Sequence, residues 1–210
     1  MLIDFHSHLT GPDSIVCTAD ASMPDAGSLL RCAGLLPDKW TEERQKELFS
    51  LLEQNPELQL GEVGLDRRFE NILPMERQIA ILREEMAFAI NRSRCISIHC
   101  VHATKPIIDI LRELNYRHYS ILWHGFTGSP ETARELSKLN VILSIGPRFQ
   151  GNIEEILQSN PYSVPETDYE GSDILEHRRI LESRYQRFPE GYSGKAEVIF
   201  KFFRFGQDSQ

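Results

Sequence analysis

Apolar residues along the chain fall into eight short β-type clusters, separated by longer stretches with helical spacing. The strand candidates are residues 2–8, 14–18, 30–35, 58–65, 95–99, 120–124, 141–145 and 163–168. Amphipathic helices are expected near 41–54, 74–91, 105–114, 130–139 and 153–158. Start signals support several of them: Thr41 ahead of Glu42 and Glu43, Ser129-Pro130-Glu131, and Asn152 ahead of Glu154 and Glu155. This alternation is that of an α/β protein, and eight strands predict a TIM-type (β/α) barrel. The chain has 210 residues, near the lower limit for that fold. Gly11, Pro12, Pro24 and Gly27 interrupt the stretch from His8 to Leu35, which must carry two strands with little room for a helix. The barrel is therefore expected to be abbreviated in its N-terminal βα units. Beyond Asp173 the pattern predicts a helix to about Gln186, a polar turn from Pro189, and a last helix over 195–205. Its phenylalanines at 200, 202, 203 and 205 are expected to close the barrel or pack against a partner chain. No repeat, low-complexity tract or linker divides the sequence, so residues 1–210 read as a single domain.

Parity within these strands points to chemistry. In His6-Ser7-His8 the two histidines are two apart and face the same way, so both imidazoles would reach one ion from one rigid element. Asp4 shares that face and is placed to orient a histidine from beneath. In Cys95-Ile-Ser-Ile-His99, Ile96 and Ile98 form one face, while Ser97 and His99 form the other. His124 opposes Ile121 and Trp123 and ends its strand at Gly125. Glu62 lies between Gly61 and Gly64, and Asp168 ends Val164-Pro-Glu-Thr-Asp168. Any one of these residues is as well explained by structure alone. Together they place six metal-type side chains on five strand ends with common parity, where barrel enzymes carry their chemistry.

Charge changes the picture less than these positions do. The formal net charge of −8, from 31 acidic and 23 basic residues, argues against a basic nucleic-acid-binding surface. It leaves a phosphodiester substrate open, because two bound divalent cations would reverse the local sign. No apolar run approaches the roughly 18 residues of a membrane span, and the start lacks signal-peptide character, so a cytoplasmic protein is expected. Cys17, Cys32, Cys95 and Cys100 form no C-x-x-C pair and read as buried free thiols.

Asp4-Phe-His-Ser-His-Leu9, Gly61-Glu-Val-Gly-Leu-Asp66, Ile98-His99, His124-Gly-Phe-Thr-Gly128, Leu143-Ser-Ile-Gly146 and Glu166-Thr-Asp168 resemble, in order, the motifs of the TatD family. Those proteins are metal-dependent hydrolases of the amidohydrolase superfamily with a TIM-barrel fold, many of them deoxyribonucleases. The resemblance runs from residue 1 to about residue 170. It implies a dinuclear divalent-metal site, with His6 and His8 on one ion, His99 and His124 on the other, and Glu62 shared. Asp168 would sit at the first ion beside the attacking water, so Glu62 and Asp168 are the expected catalytic residues. Four imidazoles favour Zn²⁺, while mixed ligation admits Mn²⁺, Mg²⁺ or Ni²⁺.

The chain departs from the family pattern at several places. Leu36 stands where a histidine is expected, and Val101 where an arginine is. Tyr169-Glu-Gly-Ser-Asp173 replaces a proline-rich segment, the region after His8 is shortened, and the C-terminal helices match poorly. These changes spare the six ligands and fall on expected substrate contacts. Arg67, Arg68 and Arg148, just beyond strand ends, are candidate phosphate clamps, with ordinary loop ion pairs the competing reading. Asp66 is placed to orient a ligand. His102, His118 and His177 read as surface or solvated residues, and Trp40 and Trp123 as packing. The expected activity is phosphodiester cleavage, with DNA as a substrate only. Hydrolysis of a small amide, ester or lactone is one alternative, and a non-catalytic, partner-binding descendant is another.

Overall fold

The computed structural model describes residues 1–114 and 120–205. Its eight strands are β1 (Asp4–Ser7), β2 (Ser14–Thr18), β3 (Leu30–Ala33), β4 (Gln59–Asp66), β5 (Ile96–Val101), β6 (Ile121–Trp123), β7 (Val141–Ile145) and β8 (Ser163–Pro165). They lie side by side in chain order and every neighbouring pair is parallel. The ends of the sheet meet through the backbone. Asp168 N–H donates to the His6 carbonyl at 3.0 Å, and His8 N–H donates to the Tyr169 carbonyl at 2.9 Å. The result is a nearly closed TIM-type barrel whose strands are buried on both faces, as all-parallel sheets are.

The outer helices are α1 (Glu42–Gln54), α2 (Met75–Ile90), α3 (Thr104–Glu113), α4 (Pro130–Lys138), α5 (Ile153–Ser159), α6 (Ile174–Tyr185) and α7 (Tyr192–Phe205). Thr41, Ser129 and Asn152 cap α1, α4 and α5 through their side-chain oxygens, as the start signals predict. The N-terminal abbreviation is also present. Residues 8–13 alone join β1 to β2, residues 19–29 join β2 to β3, and neither connection holds a helix. Strand β8 stops at Pro165, short of the expected 168, because Thr167 turns its backbone and hydroxyl to Asp4.

Helix α7 begins three residues earlier than the sequence suggests and crosses the N-terminal end of the barrel. Phe200 and Phe203 are buried there: Phe200 meets Phe5 edge-on at 6.4 Å, and the Phe203 carbonyl accepts from the Cys95 thiol. The aromatic tail therefore closes the barrel floor. Cys17, Cys32 and Cys95 are buried and Cys100 is partly so, all as free thiols. Trp123 is buried in the core, and Arg77 lies over the half-buried Trp40 ring. No described helix is long and apolar enough to cross a membrane. His118 lies outside the described residues.

One core residue conflicts with its surroundings. Glu85 on α2 is 1% exposed, and its Oε1 has no hydrogen-bond partner among the described residues. Burial, with Glu84 nearby, pushes its carboxyl well above the ordinary 4.5. The folded state thus keeps this proton to higher pH than the unfolded chain does. Stability is then lost as pH rises from about 4.5 through the folded-state value. Glu85→Met, similar in volume, is expected to stabilise by roughly 1–3 kcal/mol at pH 8. Its advantage should shrink at pH 5, and urea midpoints at the two pH values measure both effects.

Candidate metal centre

The six residues singled out by parity come together: Glu62 from the middle of β4, Asp168 from three residues past β8, and the four histidines from near or just beyond the ends of β1, β5 and β6. His6 ends up wholly buried on β1, and His8 sits one residue past it. His6 Nδ1 lies 3.2 Å from Ser97 Oγ, and His8 Nδ1 donates to the Cys17 carbonyl at 2.9 Å. Both contacts turn the Nε2 atoms inwards. His6 Nε2 is 3.6 Å from Glu62 Oε2 and 3.9 Å from Asp168 Oδ1, and His8 Nε2 is 3.5 and 3.6 Å from the same oxygens. On the far side, Glu62 Oε1 lies 2.6 Å from His99 Nδ1 and 2.7 Å from His124 Nε2. His99 Nε2 rests 3.1 Å from Asp66 Oδ2, so Asp66 orients this ring, as its spacing from Glu62 suggests.

This crowding shapes the protonation states. Burial alone would raise the Glu62 carboxyl, but His124, His6 and His99 around it hold it well below the ordinary carboxylate range. Burial, with His6 and His99 nearby, lowers His124 to about 4 despite Glu62. Asp168 reaches about 2, because His8, His6, His124 and Arg148 outweigh its burial. Burial would lower His99 too, but Asp66 and Glu62 outweigh it and push that imidazole up to about 9.

A divalent cation fits this donor set. His6 Nε2 is buried and has no hydrogen-bond partner among the described residues, although two carboxylates face it. Donor atoms of His6, His8 and Asp168 lie within 4.8 Å of one another, as do those of His6, Glu62 and His124. Paired imidazoles and carboxylates at that spacing are the ligand chemistry of Zn²⁺ and similar ions.

Above the cluster opens a cavity of about 620 Å³ whose walls include Leu36, Lys39, Arg68, Phe69 and Arg148. Of the three candidate clamps, Arg68 and Arg148 line it and Arg67 does not. Arg67 instead binds Glu70 and the His102 carbonyl. Arg68 grips Asp66 through two nitrogens, and Arg148 pairs with Asp168. Val101 lines a smaller neighbouring cavity with His99, His124 and Arg148. His102 is exposed, as expected.

Two expectations need correction. Asp4 does not orient a histidine ring of the cluster. Its carboxylate accepts Thr167 N–H at 2.9 Å and Thr167 Oγ1–H at 2.5 Å, and touches His6 only through the backbone N–H at 3.4 Å. His177 is not solvated: it is 4% exposed, with Nε2 3.0 Å from Asp4 Oδ2. Sequence reasoning also passed over Glu166. This buried carboxylate accepts Gly125 N–H at 2.8 Å and Ser144 Oγ–H at 2.5 Å, joining the ends of β6, β7 and β8. Burial pushes it up to about 8, and Oε2 lies 3.9 Å from the unpartnered His124 Nδ1. Its signal was present, since Glu166 shares the strand parity of Asp168.

Fold and donor set together define a class, the TIM-type barrels of metal-dependent hydrolases. Within it, the chain belongs to the TatD family: the sequence model of TatD related DNases matches residues 3–175. An uncharacterized metal-dependent hydrolase of Bacillus subtilis, YabD, is 34% identical over 106 residues, covering 50% of this chain and 41% of that protein. The human 3'-5' RNA nuclease TATDN2 is 25% identical over 107 residues, covering 51% of this chain and 14% of that one. The matched segment therefore spans less than half the length of either relative. Among solved structures, the TatD homologue YJJV of Escherichia coli superposes with a TM-score of 0.71 at 18% identity, over 91% of this chain and 85% of the other. A TatD family hydrolase of Entamoeba histolytica gives 0.62 at 14% identity, over 94% and 85%. At these identities the structures speak to the fold.

Proposed function

We propose that the chain is a divalent-metal-dependent phosphodiesterase acting on nucleic acid ends or related phosphodiesters. The observation that carries this reading is the buried, unpartnered Nε2 of His6, which faces Glu62 and Asp168, two carboxylates that line the open cavity. His6, His8 and Asp168 would hold one cation and His99 and His124 the second, with Glu62 between them. Bound there, the cations would supply Lewis acidity towards the scissile phosphate and lower the pKa of an attacking water. Asp168, ionised and facing His6 and His8 through Oδ1, would accept the proton of that water. The Cys17 carbonyl, Ser97 and Asp66 would fix the imidazoles, and Arg148, 66% exposed, would turn from Asp168 to a phosphate oxygen. The human relative is named a 3'-5' RNA nuclease, which supports testing RNA beside DNA as the substrate.

One observation favours a second reading. Arg68 and Arg148 are both engaged by carboxylates, and Leu36 and Phe69 add apolar wall, which suits a small amide, ester or lactone. Protein loaded with Zn²⁺ or Mn²⁺ should cleave short single-stranded DNA or RNA, and chelation should abolish the cleavage. Turnover of a small-ester panel with no phosphodiester cleavage under any divalent ion would replace the first reading with the second.

A further inference from the structure

His177 lies beyond the residues matched by the family model and far in sequence from the ligand cluster, yet α6 sends it into the barrel wall. There Nε2 rests 3.0 Å from Asp4 Oδ2, on a carboxylate that is wholly buried. The same carboxylate takes both the N–H and the hydroxyl of Thr167, at 2.9 and 2.5 Å. Thr167 immediately precedes Asp168, whose φ of +52° lies in the left-handed region that residues with side chains seldom adopt. Such a conformation persists where its surroundings hold it from both sides. On one side is the Asp4–Thr167 clamp. On the other, the Tyr169 carbonyl accepts from His8 N–H, and the Tyr169 ring meets His177 edge-on at 5.6 Å. Arg178, the next residue on α6, pairs with Asp13 and pins the helix to the short β1–β2 connection.

We propose that His177 is a positioning residue for Asp168: it holds the Asp4 carboxylate on Thr167 and so fixes where the Asp168 carboxylate stands. The inference rests on the proposed role of Asp168 in the metal centre. A purely structural staple between α6 and the barrel would affect stability alone, whereas a positioning residue alters the coordination of whatever Asp168 binds.

Co²⁺ is a suitable probe, because its visible spectrum reports ligand geometry. His177→Leu is expected to change the spectrum of the Co²⁺-loaded protein and weaken Co²⁺ binding by about 10-fold or more, the usual effect of losing a group that orients a ligand. With bis(4-nitrophenyl) phosphate as substrate, kcat should fall while KM holds. His177→Gln, which keeps an amide nitrogen near Asp4, should restore spectrum and rate. Thr167→Val cuts the same connection at its other end. It should reproduce the His177→Leu spectrum, and the double variant should be no worse than either single one. If His177→Leu does not fold, His177→Gln and Thr167→Val carry the test. Folded His177→Leu, or Thr167→Val in its place, with wild-type Co²⁺ spectrum and affinity would overturn the proposal. Wild-type protein that fails to bind Co²⁺ would instead overturn the metal-centre reading beneath it.

Discussion

Glu62→Gln is expected to lower hydrolysis by more than about 100-fold and to strip the protein of most of its metal. Losing an outer partner of a metal ligand typically costs 10–100-fold in affinity or activity, and Glu62 occupies a more central place than any such partner. Both of its oxygens are in use: Oε1 meets His99 and His124 at 2.6 and 2.7 Å, and Oε2 lies 3.5–3.6 Å from His8 and His6. Glutamine preserves the shape but presents an NH₂ group to one pair of imidazoles and removes the negative charge that would bridge two cations. The environment is tuned to that charge, since the surrounding histidines keep the carboxyl ionised far below its ordinary range despite burial. Metal content after loading, together with rates on a short oligonucleotide, measures the effect. A Glu62→Gln protein with wild-type metal content would remove Glu62 from the centre and with it the shared-carboxylate arrangement.

The barrel, and the meeting of six metal-type side chains within it, were legible because both rest on short-range rules. Side chains two apart on a strand face together, so His6 and His8, or Ser97 and His99, are placed by parity alone. Strand ends are marked by breaks such as Gly125 after His124. What escaped depends on which chain segments meet, and parity is silent on that. Asp4 reads as a partner for the histidines beside it, but its carboxylate is claimed by Thr167 and by His177, each more than 160 residues away. The same sequence distance hid His177, which among the arginines of α6 looks solvated until the helix is docked. Arg67 and Arg68 are adjacent and alike in sequence. Only the turn that begins the short helix Arg67–Phe69 sends Arg68 to the cavity and Arg67 to Glu70. The missing helices after β1 and β2, by contrast, were visible as a shortage of residues.

Gly64→Ala should be the most damaging single-methyl change in the barrel wall, destabilising by about 3 kcal/mol or more. Gly64 pairs in register with His99 across β4 and β5. A Cβ built there would sit 1.9 Å from the His99 carbonyl oxygen and 2.7 Å from its carbonyl carbon. Both are backbone atoms in the sheet interior, so no rotamer change relieves the overlap, and one of the two strands has to shift. The strand that shifts carries a proposed ligand at either choice: Glu62 on β4, or His99 on β5. Stability and metal affinity should therefore fall together, although Gly64 itself touches no ion. Gly194→Ala provides the contrast. On α7 nothing lies within 4 Å of its would-be Cβ, and helix propensity favours alanine there by up to about 1 kcal/mol. Urea unfolding of the two variants should thus move in opposite directions. A Gly64→Ala protein within about 1 kcal/mol of wild type, well short of the effect of core overpacking, would mean that β4 and β5 do not approach as closely as the proposed six-residue centre requires.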